Sequence, residues 1–149
     1  MEAAHLAAIF SVALHVGADL LVAGDAMGRC TVHRFSTGAF MAELSLRGVG
    51  RERATVRHVA IAGDGSVAVA LHGTDDSICM LQSWSAAGGE WVRHSSKSLA
   101  SAVCGMADTA SGLLVVCQSS AALRCIKTLS VLRPLAVRSP NLNPHLTVT

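Results

Sequence analysis

The sequence contains no tyrosine, three phenylalanines, two tryptophans and three prolines, and only 15% of its residues are charged. So few aromatics leave no stacking platform for single-stranded nucleic acid, and no lysine- or arginine-rich run supplies a phosphate footprint. The formal net charge of +2 does not change that balance. Nucleic acid is disfavoured as a partner. Cysteine occurs five times, at 30, 79, 104, 117 and 125, but never as Cys-x-x-Cys. A zinc site needs four converging ligands, and Cys30 with His33 finds no second pair to complete one. The cysteines read as small buried strand residues, kept reduced in a cytoplasmic setting, and no metal is expected. Also missing are the Gly-x-Ser-x-Gly nucleophile elbow and the Gly-x-x-x-x-Gly-Lys phosphate loop. Ser11, His58 and Asp64 are the right residue types for a nucleophile, a base and an acid, but no motif spacing joins them. Neither catalysis nor a cofactor is expected.

What is present is apolar: 51% of 149 residues, enough for one domain that buries about 68–70% of its unfolded surface. Residues 6–24 are the most apolar stretch and raise the alternative of a secreted or membrane-associated protein with a targeting or spanning segment there. Met1–His5 lacks a positive n-region, and His15, Gly17 and Asp19 fall where a spanning helix tolerates polar groups least. Two strands joined by a turn at 15–19 account for the stretch better.

Internal repetition organises the rest. Residues 11–24, 58–71 and 105–118 each read as an apolar strand, a turn rich in Gly, Asp or Ser, and a second apolar strand. Ala13, Ala60 and Ala107 recur at intervals of 47, as do Val22, Val69 and Val116. The turns, at 17–19, 63–65 and 110–112, contain glycine for positive φ and, in the first two, aspartate to bond its own backbone. More strand-like sequence follows each hairpin. In the first repeat it covers 29–35 and 39–46 around a Ser36-Thr37-Gly38 turn. In the second, 77–83 and 90–94 flank a turn at 86–89. In the third, 121–128 is the third strand, with a short or irregular connection through 129–133. Residues 135–148 start the pattern again with a turn at Pro140-Asn141. The expected organisation is repeat 1 over 5–50, repeat 2 over 51–97, repeat 3 over 98–133 and a truncated repeat 4 over 134–149.

Four strands per unit of some forty residues resembles the WD40-type β-propeller. Residues 20–38, from Leu20 through Asp25 to Thr37-Gly38, resemble that family's second strand, Asp/Gly turn, third strand and Thr-Gly corner. Ser139-Pro140-Asn141 with His145-Leu146 resembles its first hairpin. Asp25 and Asp76 stand where the family's structural aspartate would be, but no repeat has the Gly-His pair or the Trp-Asp ending in its usual place. The small-residue strands and the Arg34-Phe35-Ser36-Thr37-Gly38 corner resemble the C-terminal repeats of BEACH-domain, neurobeachin-like proteins. The resemblance implies an all-β partial propeller, about three four-stranded antiparallel blades plus the first hairpin of a fourth. It also implies a non-catalytic scaffold for protein partners, cytoplasmic and peripheral to endomembranes, in vesicle traffic. Three and a half blades do not close a ring, so self-association or further chain is expected to complete it.

The candidate interaction rim follows from the loops. Arg47, Arg51 and Arg53 between repeats 1 and 2, with His94 and Lys97 between repeats 2 and 3, would gather positive charge for an acidic protein surface or an anionic lipid headgroup. Asp75 and Asp76 join the rim from a loop inside repeat 2. His15, His58 and His72 read as hydrogen-bonding residues at strand ends or turns, and Trp84 with Trp91 as a cross-strand packing pair.

Overall fold

The structure is a computed structural model that describes residues 7–46, 54–73 and 79–136. These residues are all-β, with twelve strands and no helix. The first sheet comprises β1 (Ile9–His15), β2 (Leu20–Asp25), β3 (Cys30–Arg34) and β4 (Phe40–Leu44). The second comprises β5 (Thr55–Ile61), β6 (Val67–His72), β7 (Cys79–Ala87) and β8 (Glu90–Leu99). The third comprises β9 (Val103–Thr109), β10 (Gly112–Cys117), β11 (Ala121–Arg124) and β12 (Val131–Leu135). Each is an antiparallel meander in chain order. The stretch read as two strands around a turn at 15–19 is the β1–β2 hairpin. Among the described residues no helix is long and apolar enough to cross a membrane.

Alternating side chains sort each sheet into a face toward the preceding sheet (trailing) and a face toward the following one (leading). Leu20, Val22, Cys30, Val32 and Leu44 of the first sheet meet Val59, Ile61, Val67, Val69 and Leu71 of the second in one core. On the opposite side, Ala60, Ala68, Ala70 and Leu81 meet Val103, Leu113, Val115 and Leu129 in a second core. The middle sheet is therefore covered on both sides, and β6 is buried at every position. A strand buried on both faces has no use for polar alternation, which is why Val67–Leu71 reads as a continuous apolar run.

The turns explain one departure from the sequence reading. Four residues, 16–19, lie between the paired His15 and Leu20. Three, 63–65, lie between Ala62 and Ser66, whose backbones bond at 2.8 Å. Two, 110 and 111, lie between Thr109 and Gly112. The loop shortens by one residue at each repeat, so equivalence by 47 holds along the first strands and slips on the second. Val22 and Val69 are not equivalent: they sit on facing sides of the same core. The true partners of Ala13, Ala60 and Ala107 are Val22, Ala68 and Leu114. A slip of one residue exchanges the faces.

Turn chemistry also differs in detail. In the first hairpin the positive φ belongs to Asp19 (φ 54°) rather than Gly17, whereas Gly65 (φ 87°) fills that role in the second. Asp19 is held there because its carboxylate accepts the Ser36 amide at 2.7 Å and the Ser36 hydroxyl at 2.8 Å. These bonds from Ser36 hold the carboxyl below its ordinary range and tie the β1–β2 turn to the β3–β4 turn. Repeat 3 proves to have a fourth strand, β12, paired to β11 with one register shift, where the sequence suggested a short or irregular connection through 129–133. Pro134 and Leu135, assigned to a fourth repeat, are the last residues of β12, and residues 137–149 of that repeat lie outside the described residues.

Candidate functional site

The first strand of each sheet lies toward the same side of the array, with β5 packed between β1 and β9. The pairing register breaks once in each, leaving Phe10, Arg57 and Cys104 as the extra residues opposite the second strand. Those three positions are 47 apart, so the bulge is a repeated feature. A bulge bends its strand and re-aims the side chain it carries. The Arg57 guanidinium lies 5.4 Å from the Phe10 ring centroid, a cation–π contact linking the first two bulges. Sequence reasoning missed this row because its residue types have nothing in common; only the 47-residue spacing marks them.

Beside the row is a hollow of about 440 Å³ spanning these three first strands, lined by Leu14, His15, Val59, Ile61, Met106 and Asp108 among others. His15 is fixed by the turn it ends, its Nδ1 accepting the Ala18 amide at 3.0 Å. The hollow's exposed lining is more polar than apolar, because Val59 and Ile61 are buried in the core, and it carries one imidazole and one carboxylate.

At the joint of the second and third sheets, the Val103 amide donates to Nε2 of the buried His72 at 3.2 Å. His58 stands edge-on to His72 with centroids 6.2 Å apart. It lies within β5, next to the bulge, and not at a strand end as expected. Burial pushes the His58 imidazole below its ordinary value, the Arg57 charge acts in the same direction, and a hydrogen bond to the Val103 backbone opposes both. The neutral form is therefore the one the fold favours. Its contribution to stability is complete above the unfolded value near 6.5 and is lost as pH falls through the lowered folded value. The urea midpoint should drop between pH 7 and pH 5, and His58→Gln should flatten part of that drop. An identical drop in the variant would contradict the assignment.

The sequence-predicted rim is only partly placed. Arg47, Arg51, Arg53, Asp75 and Asp76 lie outside the described residues. His94 and Lys97 are exposed, but in β8 and not in a loop between repeats, because β8 runs on to Leu99. His94 bonds the Ser85 hydroxyl across the hairpin. Asp25 is buried at the end of β2, where its Oδ1 accepts the Met27 and Arg29 amides, each at 2.9 Å, and caps the β2–β3 turn. Trp84 and Trp91 sit on neighbouring strands against the first core, but the register sets them diagonally, Trp84 opposite Arg93 and Trp91 opposite Ala86. The trial triad does not assemble as a relay. Ser11 donates to the Val56 carbonyl at 3.2 Å, and Asp64 accepts the Ser66 amide at 2.9 Å within its own turn. Among the described residues no three His, Cys, Asp or Glu side chains are grouped to hold a metal.

No family model matches the chain, and no curated protein matches it. Solved structures do. The β-propeller domain of Myceliophteria thermophila Cps50 (Swd1) is similar over 88% of this chain at TM-score 0.62 and 14% identity. The computationally designed propeller Ika4 is similar over 87% at TM-score 0.60 and 18% identity, and Ika8 over 87% at the same TM-score and identity. The chain spans 73% of Ika4, 40% of the Cps50 domain and 37% of Ika8. These likenesses concern the fold and lend no support to the narrower BEACH-domain resemblance. The three sheets and their neighbours together identify the architecture as a partial β-propeller, with three four-stranded antiparallel blades in succession.

Proposed function

We propose that this chain is a non-catalytic protein-interaction scaffold of the WD40 kind. The observation that carries the reading is the concave hollow across the first strands of the three sheets, its exposed lining more polar than apolar and bearing His15 and Asp108. Such a surface suits the side chains of an extended segment of a partner protein, with the two polar groups fixing its direction. The packed blades behind it supply rigidity. The non-catalytic part of the reading is supported by the separate engagements of Ser11 and Asp64. A reducing, cytoplasmic setting is supported by five free cysteines, of which Cys30 is buried with its thiol pushed up to about 12. A place in membrane traffic rests on the small-residue strands and the Arg34–Gly38 corner.

Arg47, Arg51 and Arg53 extend the proposal to an acidic partner or an anionic membrane surface. Charge reversal at all three should weaken binding to a purified partner, or to anionic liposomes, without lowering the melting temperature. Asp108→Arg should raise the partner's Kd by about tenfold or more, since one lost charged contact is worth ~1.4 kcal/mol or above. Binding unmoved by both variants would sink the reading.

A further inference from the structure

Val12 and Leu14 are 58% and 48% exposed, whereas their equivalents 47 residues on, Val59 and Ile61, are 8% and 5% exposed. The difference lies in what covers them. Val59 and Ile61 fill the core between the first and second sheets, and Ala13 packs against that core. The next joint repeats the design, with Met106 packed against a core that includes Ala60. At each joint a small alanine on a leading face receives larger side chains from the following trailing face. The third sheet carries that same alanine, Ala107, exposed on its leading face, with Leu114 opposite it. The first sheet carries the matching Val12 and Leu14 on its trailing face. One chain thus holds both halves of a joint that its own described blades do not make.

We propose that the missing joint forms between two copies of this chain. The leading face of the third sheet in one copy packs on the trailing face of the first sheet in the other, twice over. Resting on the partial-propeller reading, this closes a ring of six blades. Three blades fall below the four to eight that close a propeller, and six fall within them. A joint between unlike faces makes a closed ring when the rotation returns to its start, and two copies of three blades satisfy that condition. A foreign partner would have to supply both half-joints, whereas a second copy already has them in the sizes used inside the chain. Residues 137–149 and a sheet of another protein are the competing occupants.

Light scattering on the full chain through a dilution series tests the proposal, with far-ultraviolet circular dichroism alongside. The expected result is a β-rich species of twice the monomer mass that dissociates on dilution. Leu14→Glu and Ala107→Arg change exposed positions on opposite ends of the array, so each chain should keep its spectrum. Each alone should raise the dimer dissociation constant by about a hundredfold or more, because it puts a charge into both joints. Mixing the two variants should restore dimers, since one joint is then native and the other sets the introduced acid against the introduced base. A monomer with an intact β spectrum overturns the dimer and leaves the propeller reading standing. Loss of the β spectrum in the wild-type chain overturns the propeller reading itself. A dimer indifferent to Ala107→Arg overturns the head-to-tail joint. Dimerisation only after removal of residues 137–149 assigns the leading face to that segment and also overturns the proposal.

Discussion

Gly24→Leu should destabilise the protein by about 3 kcal/mol, the upper part of the range for overpacking a filled core. For a chain of this size that is a fall in melting temperature of roughly 6–12 °C. Gly24 lies in β2 on the leading face of the first sheet, where Val56 of the second sheet approaches the backbone directly. A Cβ added at Gly24 would overlap the Val56 side chain and come within 2.9 Å of the Ser11 Oγ. Neither neighbour can give way cheaply. Val56 is fully buried, and the Ser11 hydroxyl is donating to the Val56 carbonyl at 3.2 Å. The glycine is thus required by the distance between sheets and not by its dihedral angle. Even Gly24→Ala should be destabilising, and combining it with Val56→Ala should cost less than the sum of the two single changes. Strict additivity in that double-mutant cycle would mean that the first two sheets do not meet at this point.

The second large effect is expected at Leu71, fully buried in β6 on the side facing the first sheet. Leu71→Ala should cost about 2–5 kcal/mol, a large share of the 5–15 kcal/mol that holds most domains together. Leu81, on the other side of the same sheet, is equally buried among the alanines and the third-sheet residues. Its replacement by alanine should cost a similar amount. Urea titration read by circular dichroism measures both losses. A loss under about 1 kcal/mol at either position would show that the site collapses freely and that the inter-sheet core is not packed.

The hairpins were legible in the sequence because their chemistry is local. Apolar runs bounded by Gly63-Asp64-Gly65 or by Ala110-Ser111-Gly112 turn where these residues allow, and β5–β6 and β9–β10 turn there. The spacing of Ala13, Ala60 and Ala107 was equally informative, since the first strands, bulges included, keep one register. The second strands misled because the connecting loop loses a residue per repeat, a change invisible to interval counting and visible only in the pairing.

Outer strands were harder for a different reason. Residues 95–98 of β8 are Ser, Ser, Lys and Ser, with no apolar alternation, because an outer strand is held by its ladder to β7 and one partly covered face. Reading them as a loop moved His94 and Lys97 onto the wrong element. β12 was hidden by Pro134, which a central strand would not accept but the last strand of a sheet does. The interaction rim depended on loop assignments, and loop position is what a degenerate repeat specifies least. The hollow depends on three strands drawn from all three repeats, a juxtaposition that exists only once the blades are stacked.

Native-state hydrogen exchange tests the central claim, three blades stacked with the second covered on both faces, most directly. The account predicts that the amides of β6, from Val67 to His72, exchange slowest and open only with global unfolding, while those of β1 and β12 exchange faster. Exchange in β6 as rapid as in β1 would contradict it, because a strand between two cores cannot open without taking both apart.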